Sequence, residues 1–94
     1  MHYVYILHSE KLNRFYIGYT SDISTRLEFH KNADYHKFTY NADDWKLTFS
    51  FECETKSQAL AIEKHIKQMK SKIYILNLMK YPEMISSLKD KYKP

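Results

Sequence analysis

The sequence predicts one α/β domain on a small, three-stranded, mainly antiparallel sheet, with elements in the order β-β-α-β-α-α. Three observations lead there. Two apolar runs, Tyr3 to Leu7 and Phe15 to Tyr19, lie close enough to pair as a hairpin. A third run, Trp45 to Cys53, alternates apolar and polar residues with the period of a strand. Thr55 and Gln58 then form a capping box that opens an amphipathic helix.

Taken in order, Tyr3-Val4-Tyr5-Ile6-Leu7 is apolar without a break, as in a strand buried on both faces. Ser9 to Arg14 reads as the hairpin loop, and Phe15-Tyr16-Ile17-Gly18-Tyr19 as the second strand. Side chains alternate along a strand, so Tyr16 and Gly18 share a face, and an antiparallel hairpin can bring Tyr5 and Tyr16 together. The pattern leaves their register open. Ser21 or Asp22 caps a helix expected over roughly 22–32. Ile23, Arg26, Leu27 and His30 fall on one face of it, which places a cation and an imidazole beside the core-facing stripe. Residues 33–44 read as loop.

In the third strand Trp45, Leu47, Phe49, Phe51 and Cys53 are expected on one side, with Cys53 packed in the core. The helix after Thr55 carries the stripe Ala59, Ile62, Ile66, Met69 and Ile73. Glu63 flanks that stripe, and Lys64, Lys67 and Lys70 run along the same flank. Residues 73–80 either continue this helix or bend first. Tyr81-Pro82-Glu83 starts a last helix with proline at its first position, followed by Met84, Ile85, Leu88 and Tyr92.

Composition narrows the function. Ninety-four residues make one domain, 1–94, and are too few for two cores. One glycine excludes phosphate-cradling glycine loops. One cysteine, without a CxxC partner, excludes an internal disulfide and argues against a structural zinc site. A reducing, cytoplasmic setting is the expectation. The N-terminal apolar run of five residues is too short for a signal segment or a membrane span. The net charge of +4 is uneven: residues 64–94 hold eight lysines against two acids, a balance of +6, and residues 1–63 stand at −2. A basic C-terminal third suits a polyanion such as nucleic acid, or is a solvated helix face. Histidines 2, 8, 36 and 65 have no partner spacing and read as structural or solvated.

Tyr3-Val4-Tyr5, Tyr16-Ile17-Gly18, Arg26, His30 and Glu63, in this order, resemble the GIY-YIG nuclease pattern. The resemblance covers about residues 2–80, leaving a C-terminal helical extension over about 81–94. It is closest to the small stand-alone bacterial members, which are similar to the N-terminal nuclease domain found in the bacterial excinuclease. It implies a three-stranded antiparallel sheet flanked by helices and metal-dependent cleavage of phosphodiester bonds in DNA, in a repair or recombination setting. Carried over by position, Tyr5 and Tyr16 are the motif tyrosines, Gly18 the motif glycine, Arg26 the catalytic arginine and Glu63 the one metal-binding acid. His30 matches a position held by histidine or tyrosine, and Asn77 is a candidate for a late supporting asparagine. The chain departs from the pattern in having Tyr3 where the name-giving glycine would stand. It also departs at Tyr40-Asn41-Ala42-Asp43-Asp44, where relatives tend to carry basic residues and a proline; two aspartates stand where DNA would pass.

Phosphodiester hydrolysis asks for a deprotonated water, charge relief on the phosphoryl oxygens and a protonated leaving group. One carboxylate such as Glu63 suits a Mg²⁺ or Mn²⁺ ion that keeps most of its waters. Arg26 offers a permanently charged fork that matches phosphate oxygens. A phenol with a pKa of ~10 is a poor base at neutral pH unless a cation stabilises its phenolate, and the sequence does not choose between Tyr5 and Tyr16. His30, ordinarily near ~6.5, can share the proton work. Gly18, without a side chain, lets substrate or a helix approach the backbone. No small-molecule cofactor or membrane is expected. The alternative reading is a non-catalytic nucleic-acid-binding module on the same scaffold. A third is a protein that docks on another protein through the helices of 73–94.

Overall fold

The computed structural model describes residues 1–26 and 44–94. Three strands, β1 (His2–Ser9), β2 (Arg14–Thr20) and β3 (Lys46–Cys53), form one antiparallel sheet in the order β2-β1-β3. β1 is central, which is why its unbroken apolar run is needed: Val4, Tyr5, Ile6 and Leu7 are all buried. Three helices follow, α1 (Lys56–Met69), α2 (Lys72–Lys80) and α3 (Pro82–Lys91). Residues 23–26 begin the expected earlier helix; the rest of its predicted span, with Leu27 and His30, lies outside the described residues.

One core joins sheet and helices. Val4 and Ile6 of β1, Ile17 of β2 and Cys53 of β3 pack with Ala59, Ile62 and Ile66 of α1. Ile75 and Leu78 of α2 and Ile85 and Leu88 of α3 complete it. The C-terminal helices are therefore part of the domain's single core.

Two departures from the sequence pattern have identifiable causes. β3 carries a bulge: Ile6 pairs with Phe49 but Leu7 pairs with Leu47, so Thr48 is the extra residue, its hydroxyl donating to the Ile6 carbonyl at 2.9 Å. The bulge puts Leu47 and Phe49 on opposite faces, and the expected single stripe from Trp45 to Cys53 breaks there; Leu47 is exposed. The stripe expected on the long helix also ends early. Lys70 takes a left-handed conformation (φ 48°) and stops α1, and Ser71 caps α2 by accepting the Tyr74 N–H. This resets the helical phase, so Met69 and Ile73 are exposed and Ile75 and Leu78 face inward instead.

The hairpin loop is held by a residue far downstream in the chain. Asp44 accepts from the Ser9 hydroxyl at 2.6 Å and from the Lys11 N–H at 3.0 Å. Asn13, left-handed at φ 50°, closes the turn through its N–H to Glu10. One of the two aspartates noted in the 40–44 segment thus has a local task. The Ser9 and Lys11 hydrogen bonds hold the Asp44 carboxyl below the usual range, so this stabilisation is present above pH ~4 and is lost as pH falls through the lowered pKa.

Gln58 ties the two ends of the domain together. It is buried, its amide oxygen accepts the Glu54 N–H at 2.8 Å, and its amide nitrogen donates to the Lys89 carbonyl at 3.1 Å. Gln58→Leu keeps the volume and strands both partners. It is expected to lower unfolding free energy by about 2 kcal/mol in urea denaturation.

Candidate active site

The site starts from the register of the β1–β2 hairpin. Tyr5 stands directly opposite Gly18, and Tyr16 opposite Leu7, so the two tyrosines are diagonal neighbours on one sheet face. Their ring centroids are 6.3 Å apart at 34°. A Cβ at position 18 would overlap the Tyr5 ring, so glycine is required by the tyrosine lying across it. The group that approaches Gly18 is thus Tyr5 itself, where the sequence pattern leads one to expect substrate or a helix. Tyr5 is almost fully buried, and Tyr16 is half-buried with the Trp45 indole edge-on at 6.4 Å. The Tyr5 hydroxyl donates to that of Tyr16.

Arg26 comes from the helical turn after β2. Thr20 and Asp22 set this turn: the Thr20 hydroxyl accepts the Asp22 N–H and donates to the Asp22 carbonyl, both at 3.0 Å. The Asp22 carboxylate then accepts the Thr25 N–H at 3.2 Å and the Thr25 hydroxyl at 2.9 Å, making Asp22 the N-cap. The Arg26 N–H closes the turn onto the Asp22 carbonyl at 3.1 Å. Arg26 is half-buried and acts electrostatically on both phenols.

Glu63 comes from the flank of α1, with its side chain only 17% exposed. It acts on the same two phenols. Lys67, one turn on, places its ammonium 3.3 Å from the Glu63 carboxylate and 6.0 Å from the centre of the Tyr16 ring. The structure therefore pairs Tyr5 with Tyr16 and places Arg26 and Glu63 where each acts on both phenols. His30 lies outside the described residues. Asn77 sits in the last turn of α2, where its carbonyl accepts the Tyr81 N–H at 2.8 Å. Lys67 and Trp45 are members that sequence reasoning missed. The i,i+4 spacing from Glu63 was the available signal for Lys67; Trp45 was hidden in an alternating strand.

The balance of charge keeps both phenols protonated at neutral pH. Burial is the largest cause of a raised pKa in each, Glu63 adds to it, and Arg26 opposes it. Tyr5 is raised further by Tyr16, both electrostatically and through the proton it donates there. The same bond lowers the pKa of Tyr16, which accepts it. Of the two, Tyr16 is the oxygen better prepared to carry negative charge.

A metal would find one carboxylate. Among the described residues no three His, Cys, Asp or Glu side chains gather closely enough to enclose an ion. That donor set does not fit a closed zinc site. A single, partly buried carboxylate does fit a hard cation that keeps most of its own waters.

Comparison with known proteins finds relatives of one kind. A family model described as the GIY-YIG catalytic domain matches residues 1–81. A UPF0213 protein of Halobacterium salinarum is 32% identical over 69 residues, covering 73% of this chain and 88% of the relative. One from Oceanobacillus iheyensis is 32% identical over 68 residues, covering 72% and 78%. The solution NMR structure of UPF0213 protein BH0048 from Bacillus halodurans superposes with a TM-score of 0.53 at 28% identity, covering 84% of this chain and 82% of that one.

Two outcomes follow from the geometry. Gly18→Ala should destabilise the protein by about 1–3 kcal/mol through overpacking against Tyr5, and Tyr5→Leu in the same chain should recover part of it in a double-mutant cycle. In an alkaline titration followed by the ultraviolet absorbance of phenolate, Tyr5 and Tyr16 should ionise after the exposed tyrosines. Their raised pKa values contribute stability that is fully present below pH ~10 and is lost as pH rises through the folded-state values.

Proposed function

The chain belongs to the GIY-YIG family of nuclease domains, and from that premise we propose that it is a divalent-metal-dependent endonuclease that hydrolyses phosphodiester bonds in DNA. One observation carries the reading: a guanidinium and a carboxylate from distant parts of the chain both act on the same two hydrogen-bonded phenols.

Each group has a role that its surroundings support. Arg26 pairs with the non-bridging phosphoryl oxygens, and its charge also favours a phenolate. Tyr16, once its own proton has passed to solvent and it stands as a phenolate beside Arg26, takes the proton of the attacking water; the resulting hydroxide forms the new P–O bond as the sugar oxygen leaves and takes a proton from solvent. Tyr5, donating its own proton to the Tyr16 oxygen, holds that oxygen in place and spreads its negative charge. Trp45 packs against Tyr16 and limits its rotation. Glu63 would hold the ion, and in this structure its carboxylate pairs with Lys67 at 3.3 Å. When bound there, Mg²⁺ or Mn²⁺ supplies Lewis-acid polarisation of the phosphate and lowers the pKa of a coordinated water. Neutralising Glu63 in this way removes one of the two charges that bear most on Tyr16, leaving Arg26 to lower its pKa. His30, the remaining motif residue, would share the proton work.

A second reading, a binding module without catalysis, draws on Lys67. Its ammonium stands 3.3 Å from Glu63, where a cation would otherwise be needed. The two readings separate in one assay of labelled single-stranded, flapped and duplex DNA with Mg²⁺. A nuclease cleaves, and stops when the metal is chelated. Glu63→Gln should remove cleavage while leaving the fold intact by circular dichroism. Tyr16→Phe should cost about 10²–10⁴-fold in rate, more than Tyr5→Phe. A binding module would retain DNA in a salt-dependent, Mg²⁺-indifferent manner and cleave none of the substrates.

A further inference from the structure

Beside the site a groove of about 550 Å³ runs along the outer edge of β2, where that strand faces the junction of α1 and α2. Its floor is apolar: half-buried Phe15 gives the open surface, backed by Ile17, Ile66 and Ile75 of the core, each 8% exposed or less. Its rim is cationic: Arg14 at one end of β2, then Lys67, Lys70 and Lys72 along the helix junction. Among the described residues that line it there is no carboxylate. The Tyr16 ring lines the groove too, and Lys67 touches both Tyr16 and Glu63, so groove and site are continuous.

The helix junction adds a second observation. Lys70 holds the left-handed conformation that ends α1, a position where glycine is the ordinary occupant. A lysine there gives up backbone comfort and places an ammonium on the rim.

Resting on the nuclease reading above, we propose that this groove holds one unpaired nucleotide of the substrate strand, next to the scissile linkage. The base lies on the apolar floor beside Phe15, and its phosphates lie between Arg14, Lys70 and Lys72. Charge complementarity selects a polyanion, and the apolar floor selects an anion that carries a flat, weakly polar face. The volume falls in the range of ordinary small-ligand sites. A base paired and stacked inside a duplex cannot present its face to a floor of this kind, whereas a single-stranded or extruded base can. The substrate class is therefore DNA that is unpaired at the point of cleavage.

The test is read as binding, in chelator, so that it does not depend on cleavage. Fluorescence anisotropy would compare a labelled twelve-nucleotide oligo-dT with a blunt duplex of the same length. The single strand should bind at least tenfold more tightly. Lys70→Gly should weaken its binding several-fold and reduce the slope of log affinity against log salt by about 0.7. The same variant should melt no lower than the parent, because glycine suits the left-handed position. Lys72→Gln should act likewise on binding, and oligo-dT should shift the methyl resonances of Ile17, Ile66 and Ile75. Equal affinity for the duplex, unchanged binding by both lysine variants, or unmoved methyls would overturn the proposal. Intact cleavage with no groove effect sinks the groove alone; an intact single-strand preference in a protein that cleaves nothing sinks the nuclease reading alone.

Discussion

The placement of Tyr5 across Gly18 is the constraint on which the rest of the site depends. A tyrosine on a central strand has no room to lie along the sheet unless the residue opposite lacks a Cβ, and the only glycine in the chain stands there. With Tyr5 seated, its hydroxyl is set within reach of Tyr16 two residues along β2, and the diagonal pair becomes a hydrogen-bonded unit. The helical turn carrying Arg26 begins only two residues beyond Thr20 at the end of that strand. One hairpin register thus positions two phenols and the start of the guanidinium's path. The Asp44 bonds to Ser9 and Lys11 protect that register from the far end of the loop.

The electrostatics of the group follow from how little of it is exposed. Burial raises both phenols, and a carboxylate placed nearby raises them again. On those terms alone either phenol ionises less readily than in water. Arg26 offsets part of this, and the Tyr5 hydrogen bond adds a smaller offset for Tyr16 alone. The arrangement is therefore conditional: its basicity depends on whether Glu63 is neutralised. In the described structure Lys67, its side chain half exposed, stands 3.3 Å from that carboxylate without cancelling its effect on the phenols.

Much of the fold was legible because local signals agreed with the final packing. The Thr55 N-cap, the proline at the start of α3 and the unbroken run of β1 each suit the structure they occupy, although the Gln58 side chain accepts the Glu54 N–H and not the Thr55 N–H of a full capping box. Register was not legible: a slip of two residues keeps every side chain on its face, so period alone cannot say whether Tyr5 meets Tyr16 directly or diagonally. Nor were the Thr48 bulge and the break at Lys70, since no glycine or proline marks either one. At the site, Arg26 and Glu63 are individually indistinguishable from surface charges. Only the ordered set of motif residues singled them out, and the fold then put them on the same two phenols.

The lysine-rich C-terminal third illustrates why net charge alone could not locate an interface. Residues 64–94 carry eight lysines, but they do not form one basic face. Lys80, Lys89 and Lys91 lie over the rings of Tyr81, Phe51 and Tyr92 at 5.4 to 5.8 Å, covering aromatic surface with their charge as well as meeting solvent. Lys67, Lys70 and Lys72 are different: all three line the groove at the junction of α1 and α2, on the side of the molecule where Tyr16 and Glu63 meet. What concentrates them is the early stop of α1. Had the helix continued through Lys70 to Ile73 as its apolar stripe suggested, the helical period would have carried Lys72 away from Lys67 and Lys70. The turn at Lys70 folds the three back along one rim, so the same break that exposes Met69 and Ile73 gathers cations beside Tyr16 and Glu63.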